Sequence, residues 1–516
     1  MSLGLFVELP GHFPYLYWSR SSPLDDRLPT EVKPVKRPNI LWICTDQQRF
    51  DTLGCYGNSW VRSPRIDALA DSGVLFANAF CQNPLCTPSR ASFLTGRYPR
   101  TTRARQNGQS IPETEILVTK ALSEVGYTCG LSGKLHLSAC QPSRTLDVER
   151  RIDDGYSEFF WSHHPDDDWS TGEYARWLHE QGREFARTAH PASSHVQTSV
   201  AEEYHQTTWC VQMAIDFIGR HAQDESPWLF SVNCFDPHHP FDPPEDFLRR
   251  YLARLDEIPL PNYVPGELDN KPSFQQVDHL GAYGGQFGFY PFKEMEDHDH
   301  RLIRAAYWAM CDLIDVQVGR LLSQLEQTGQ LENTLVVFMS DHGEMLGDHG
   351  FYLKGPFFYE PAIRVPLVMS LPGRIAPRRR SPALVELVDL APTLLEAAGE
   401  KPLIGMQGES FWPILSGEKT LDHHRDDVYS EHYGTIHRQA GQPIAYATMI
   451  RTETHKLVAV HGRDPGELYD LVNDPGETVN RYTDPEYAVI RSDLYRRLCD
   501  RMAWTVDPLP EREANY

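Results

Sequence analysis

Two short apolar runs of one design, far apart in the chain, limit what it can fold into. Asn39 to Thr45 contains Ile40-Leu41-Trp42-Ile43 and ends at Asp46-Gln47; Leu335 to Met339 contains Leu335-Val336-Val337-Phe338 and ends at Ser340-Asp341-His342-Gly343. Runs this short and apolar on both faces predict strands buried inside a parallel sheet. Thr128 to Leu131 and Trp228 to Val232 read as further strands. Arg301 to Gly329 reads as a helix, because Leu302, Ala306, Met310, Leu313, Val316, Leu321 and Leu325 recur at helical spacing. Leu384 to Ala398 is another helix candidate, with Pro392 inside it and Gly399 and Pro402 as stop signals. Strands alternating with helices from Asn39 to about Gly399 predict an α/β fold, a large mostly parallel central sheet flanked by helices.

In open sheets of this kind ligands bind at the carboxyl ends of the strands. The Asp46-Gln47 and Asp341-His342 clusters both fall at that edge. Two carboxylates, an amide oxygen and an imidazole converging there suit a divalent cation. Taken singly, an aspartate after a strand also fits a turn or a helix cap.

Cys86-Thr87-Pro88-Ser89-Arg90 places a nucleophile at an anion site. Thr87 reads as a helix N-cap, Pro88 fits the first helical position, and Gly96 stops the helix. Free N–H groups and the macrodipole at that end favour an anion, and Arg90 adds a permanent charge. By itself the segment also fits a buried structural cysteine.

Asp-Gln after the first strand, then Cys-x-Pro-x-Arg, then a late Ser-Asp-His-Gly resemble, in type and order, the type I sulfatases. These are the formylglycine-dependent branch of the alkaline phosphatase superfamily, here nearest the arylsulfatase, choline sulfatase and phosphonate monoester hydrolase group. The resemblance covers nearly everything after residue 37. It implies an alkaline phosphatase-like fold with a small C-terminal α+β subdomain. It also implies oxidation of Cys86 to formylglycine by a formylglycine-generating enzyme, and one divalent metal on Asp46, Gln47, Asp341, His342 and an oxygen of residue 86. Gly133-Lys134-Leu135-His136 resembles the family's Lys-x-His element, which faces the transferring sulfuryl group; alternation beyond the strand would put both side chains on one face. Pro237-His238-His239-Pro240-Phe241 resembles the segment that supplies a leaving-group histidine, assigned to His238. Lys354 resembles the lysine that closes over the ester oxygens.

In the family's terms, Cys86, Arg90, Lys134, His136, His238 and Lys354 are catalytic, and Asn107, Lys134, His238 and Lys354 contact the substrate. The reaction is hydrolysis of a small-molecule sulfate monoester: the hydrated aldehyde attacks sulfur, Asp341 accepts its proton, His238 protonates the leaving alcohol, and His136 takes the proton as sulfate departs. Two departures from the common pattern concern the metal. Gln47 replaces a second aspartate and His342 an asparagine, so Mn²⁺ competes with the family's Ca²⁺. The same pair, with Asn107, occurs in phosphonate monoester and phosphodiester hydrolases, whereas Lys134 and His136 favour a sulfatase. A catalytically silent, sulfate-binding relative is the remaining reading.

At 516 residues and 41% hydrophobic composition the chain can bury a large core, and its formal charge of -22 disfavours nucleic acid and acidic membranes. The ten cysteines lack zinc-type spacing and read mostly as buried thiols. Neither a signal peptide nor a membrane span is legible, which predicts the cytoplasm, or the periplasm if the native start differs. Residues 1–37 read as an N-terminal extension, 38–421 as the catalytic domain and 422–516 as the C-terminal subdomain. A homo-oligomer is compatible with this layout. The irregular stretches 141–199 and 256–300 are expected to shape the substrate mouth. Asp166-Asp167-Asp168 in the first reads as a solvated loop, with recognition of a cationic ester such as a choline ester as the alternative.

Overall fold

The run Asn39–Thr45 (β1) is buried at every position and lies in the middle of a nine-stranded sheet. This computed structural model describes residues 36–141, 148–166, 172–285, 288–434, 446–462 and 465–510. Nearly all of the expected N-terminal extension, together with Asp167 and Asp168, therefore lies outside the described residues. The other strands are Val74–Phe80 (β2), Thr128–Gly133 (β3), Glu158–Trp161 (β4), Trp228–Asn233 (β5), Thr334–Ser340 (β6), Arg364–Val365 (β7), Leu367–Ser370 (β8) and Arg379–Glu386 (β9). They lie in the order β9-β2-β8-β6-β1-β5-β3-β4, with β7 paired beside β2. Along this path only β8 runs against its neighbours, which gives the mostly parallel sheet expected.

Alternation along β1 explains the layering. Ile40, Trp42 and Cys44 face one core, shared with Ala91, Phe93 and Leu94 of helix Cys86–Thr95 (α1). Leu41 and Ile43 face the other, shared with Phe217 and Ile218 of Gln206–Arg220 (α2) and with Val318 and Leu321 of Asp297–Gln327 (α3). Helix α3 starts earlier than its apolar repeat, at a capping box formed by Glu296 and Asp299.

One expected helix is part strand. Leu384, Val385 and Glu386 pair with Asn78, Ala79 and Phe80 of β2, so the ladder claims them, and the helix proper is Leu390–Ala397 (α4). Pro392 then falls in its first turn, where a missing N–H costs little. Beyond it, Asp427–Tyr433 (β10), Tyr446–Thr452 (β11), His455–Val460 (β12) and Glu467–Asp470 (β13) form an antiparallel sheet. Ile450, Leu457 and Leu468 of this sheet pack on Leu494 and Leu498 of Ala488–Trp504 (α5). All ten cysteines are free thiols, seven of them buried. Among the described residues no helix is long and apolar enough to cross a membrane.

Candidate active site

Parallel pairing of β1 with β6 sets Thr45 opposite Ser340, so Asp46 and Asp341 leave adjacent strand ends at one level. The Asp341 N–H donates to the Thr45 carbonyl at 3.2 Å. Asp341 Oδ1 accepts from the N–H groups of Gln47 (3.0 Å) and His342 (2.9 Å), and its Oδ2 from Arg90 Nε (2.9 Å). Three donors thus fix the Asp341 carboxylate, the group to which the resemblance gives the nucleophile's proton. Gln47 holds a left-handed backbone (φ 68), strained for a residue with a side chain, where the chain turns off β1.

Helix α1 opens at Cys86 with Leu85 as its N-cap, so Thr87 is not the cap; its hydroxyl is buried without a partner. Asn107 takes over, its Oδ1 accepting from the Thr87 N–H at 3.0 Å. Asn107 thus serves the helix start through this atom. Gly96 ends the helix in the left-handed region, as read.

Around Cys86 the charges converge. Lys354 Nζ lies 2.9 Å from Sγ, His342 Nε2 3.2 Å, Asp46 Oδ1 3.5 Å and Lys134 Nζ 3.7 Å. Burial and Asp46 push the thiol up, but Lys134, Lys354 and His342 outweigh them and bring it down to about 5. Lys134 also donates to Asp46 Oδ2 at 2.5 Å. Burial opposes the Asp46 charge, yet Lys134, His238, Lys354 and Arg90 hold that carboxyl well below its usual range. Arg90 donates through a second nitrogen to the Lys134 carbonyl at 2.8 Å and so ties the two segments together.

Lys134 and His136 both reach the site, but not through strand alternation. The chain leaves β3 at Gly133 (φ 96), where a Cβ would meet the Asn233 carbonyl at 2.0 Å, and His136 is itself left-handed (φ 57). Glu149 holds this turn: its carboxylate accepts from the N–H groups of His136 (2.9 Å) and Leu137 (3.0 Å) and from Trp161 Nε1 (3.1 Å). Successive N–H groups around a left-handed residue form an anion-binding nest, here filled by a side chain. Burial, then Lys134 and Arg90, keep His136 neutral, and its Nδ1 is buried without a partner.

His238 donates from Nδ1 to the His239 carbonyl at 2.5 Å, so its Nε2 is the free ring atom. Burial, then Lys354 and His239, lower its pKa well below the ordinary imidazole value. Its ring lies 4.6 Å from Phe235 and 4.1 Å from His239. The two irregular stretches do reach this region. His164 comes from the first, 5.9 Å from the His238 ring, and Tyr283 from the second, 5.9 Å from the His239 ring. Asp166, the one described residue of the acidic triplet, is partly exposed and pairs with Arg187.

Asp46, Cys86, Asp341 and His342 each offer a donor atom within 4.8 Å of the others, all buried. His342 Nδ1 donates to the Gly343 carbonyl at 2.9 Å, which fixes the tautomer whose Nε2 lone pair faces the cluster. Gln47 Nε2 is taken by Glu344, and its Oε1 is left buried with no partner. An orphaned amide oxygen beside two carboxylates and an oriented imidazole fits a divalent cation. Glu344, Glu149, His164, His239 and Tyr283 were not singled out from sequence. Two of them left a trace there: His239 inside the leaving-group segment and Glu344 directly after Ser-Asp-His-Gly.

The family model described as Sulfatase matches residues 38–400, and one described as N-sulphoglucosamine sulphohydrolase, C-terminal, matches residues 347–503. A protein of Escherichia coli named as an uncharacterized sulfatase, YidJ, is 30% identical over 92% of this chain and 89% of its own length. An arylsulfatase of Clostridium perfringens is 29% identical over 93% and 96%. Among solved structures, a phosphonate monoester hydrolase from Silicibacter pomeroyi superposes with a TM-score of 0.78 at 25% identity, over 91% of this chain and 96% of that one. With its mostly parallel sheet and its Cys-x-Pro-x-Arg helix at the strand ends, the chain belongs to the sulfatase family, within the alkaline phosphatase-like fold.

Proposed function

We propose that the protein hydrolyses sulfate monoesters to an alcohol or phenol and inorganic sulfate, with residue 86 matured to formylglycine by a formylglycine-generating enzyme. The observation that carries this reading is the convergence of Lys354 and Lys134 on Cys86 Sγ, at 2.9 and 3.7 Å, in a site already depressed for an anion. Here Sγ stands for the oxygen of the matured side chain. Formylglycine supplies a hydrated aldehyde, whose second hydroxyl lets sulfate leave without water attacking sulfur. Asp46, Gln47, Asp341, His342 and an oxygen of residue 86 would hold one divalent cation, which when bound polarises the ester; Ca²⁺ is the family default, and the amide and imidazole donors admit Mn²⁺.

The remaining work falls to the chain's own groups. Lys134 and Lys354 bind and orient the outer oxygens of the ester, while Arg90 fixes Asp341 and the Lys134 carbonyl. His238 is neutral in the free site. An entering anion offsets Lys354, so Nε2 takes up a proton with the substrate and passes it to the leaving oxygen. His136 Nδ1, neutral and unpartnered, accepts the proton released as sulfate departs.

A second reading, phosphonate monoester or phosphodiester hydrolysis, is favoured by likeness to two solved phosphonate monoester hydrolases, at TM-scores of 0.78 and 0.76. The deciding experiment compares kcat/KM for an aryl sulfate and an aryl phosphonate on one preparation, with formylglycine at residue 86 quantified by peptide mass. Sulfate is expected to win. Preference for phosphonate would overturn the sulfatase reading.

A further inference from the structure

A strip of rings continues outward from the leaving-group histidine. His164 packs 4.4 Å from the Phe235 ring and 5.9 Å from the His238 ring, and stacks at 4.9 Å on His163, which meets His136 edge-on at 4.5 Å. His238 is 6% exposed, whereas the His164 side chain is 26% exposed, so His164 is the ring of the pair that reaches solvent. The two loops that carry these rings are tied together. Arg187 pairs with Asp166, two residues beyond His164, and its Nε donates at 2.5 Å to the buried Asp242, just beyond the His238 segment. Asp166 Oδ2 in turn lies 3.8 Å from His164 Nδ1.

We propose that His164 is a positioning residue for the leaving-group step: its ring, held by the Asp166–Arg187–Asp242 clamp, fixes the His238 ring and walls the side by which the alcohol departs. The hydrogen bond from Nδ1 to the His239 carbonyl restrains the in-plane direction of His238, but tilt of the ring is limited by the rings around it: His239 stacked at 4.1 Å, Phe235 at 4.6 Å and His164, met edge-on, at 5.9 Å. Phe235 is buried and His239 belongs to the same segment as His238, so His164, which comes from another loop, is the neighbour that a loop movement would remove. Loss of that support leaves the proton donor free to swing off the ester oxygen, and a misplacement of about 1 Å costs on the order of 10²-fold at worst.

This proposal rests on the reading of His238 given above, and the test separates the two. Wild type, H238N, H164A and H164F are compared on a matched pair of esters, one with an activated aryl leaving group and one with an alkyl leaving group. The pair is a sulfate or a phosphonate, whichever wild type turns over, so failure of the sulfatase reading leaves the test intact. H238N is expected to lose far more on the alkyl ester, which needs a proton, than on the aryl ester. H164A should show the same bias, losing about 10-fold more on the alkyl ester, while H164F, which keeps a ring, retains the wild-type ratio. Should H164A not fold, R187M severs the clamp with both rings in place and should show the bias. Equal losses on both esters in H164A, an H164F variant that behaves like H164A, or an H238N variant without the bias would each overturn the proposal.

Discussion

Cys86 sits at 1% exposure with two ammonium groups and an imidazole within 3.7 Å, so whatever negative atom occupies its tip is held strongly. That grip is an advantage only if the residue can release what it captures. A serine at this position would keep the cations and the attacking oxygen but lack the second hydroxyl. C86S is therefore expected to react once and stall, with kcat lowered by roughly 1000-fold and a sulfurylated peptide at residue 86 found by mass. Multiple turnover near the wild-type rate would rule the formylglycine route out. The sequence makes the main participants legible because each is the first polar group after an apolar strand or sits in a motif. Asn107 shows what stays hidden: its amide oxygen meets a helix N–H twenty residues earlier in the chain, which no spacing rule reveals.

Among the elements, the turn after β3 shows how much a site can depend on a residue with no motif around it. Glu149 gathers N–H groups from His136, Leu137 and Trp161, thereby joining the ends of β3 and β4. E149Q keeps the shape but turns one acceptor into a donor facing a donor, at a cost of about 1–3 kcal/mol. Its kcat/KM should fall at least tenfold while far-UV circular dichroism stays unchanged; unaltered kinetics would show that the nest does not position Lys134 and His136. Strands β1, β3, β5 and β6 were legible within two residues, since buried parallel strands announce themselves by uninterrupted apolar runs. Leu384 to Glu386 misled because an apolar run beside a helical pattern reads as part of it until the partner strand, β2, is known. Glu149 and His164 lie in stretches without periodicity, where contacts are made across the fold and leave nothing in the local pattern.

For the molecule as a whole, the candidate metal donors come from the ends of β1 and β6 and from the start of α1, so a cation there would couple distant parts of one core. Exhaustive chelation should lower Tm, and restoring the ion at about 100 times its Kd should return about 2.7 kcal/mol. A larger rise with Mn²⁺ than with Ca²⁺ would support the amide and imidazole donors; an unchanged Tm with either ion would argue against the cluster. The position of β1 has a further consequence, for the order of synthesis. This strand is wholly buried and sits between β5 and β6, whose first residues are Trp228 and Thr334. During translation an apolar segment made early must wait, both edges open, until most of the chain has left the ribosome. A nascent chain halted before Thr334 would be left with one edge of its central strand exposed, the kind of surface on which chaperones act and aggregates start.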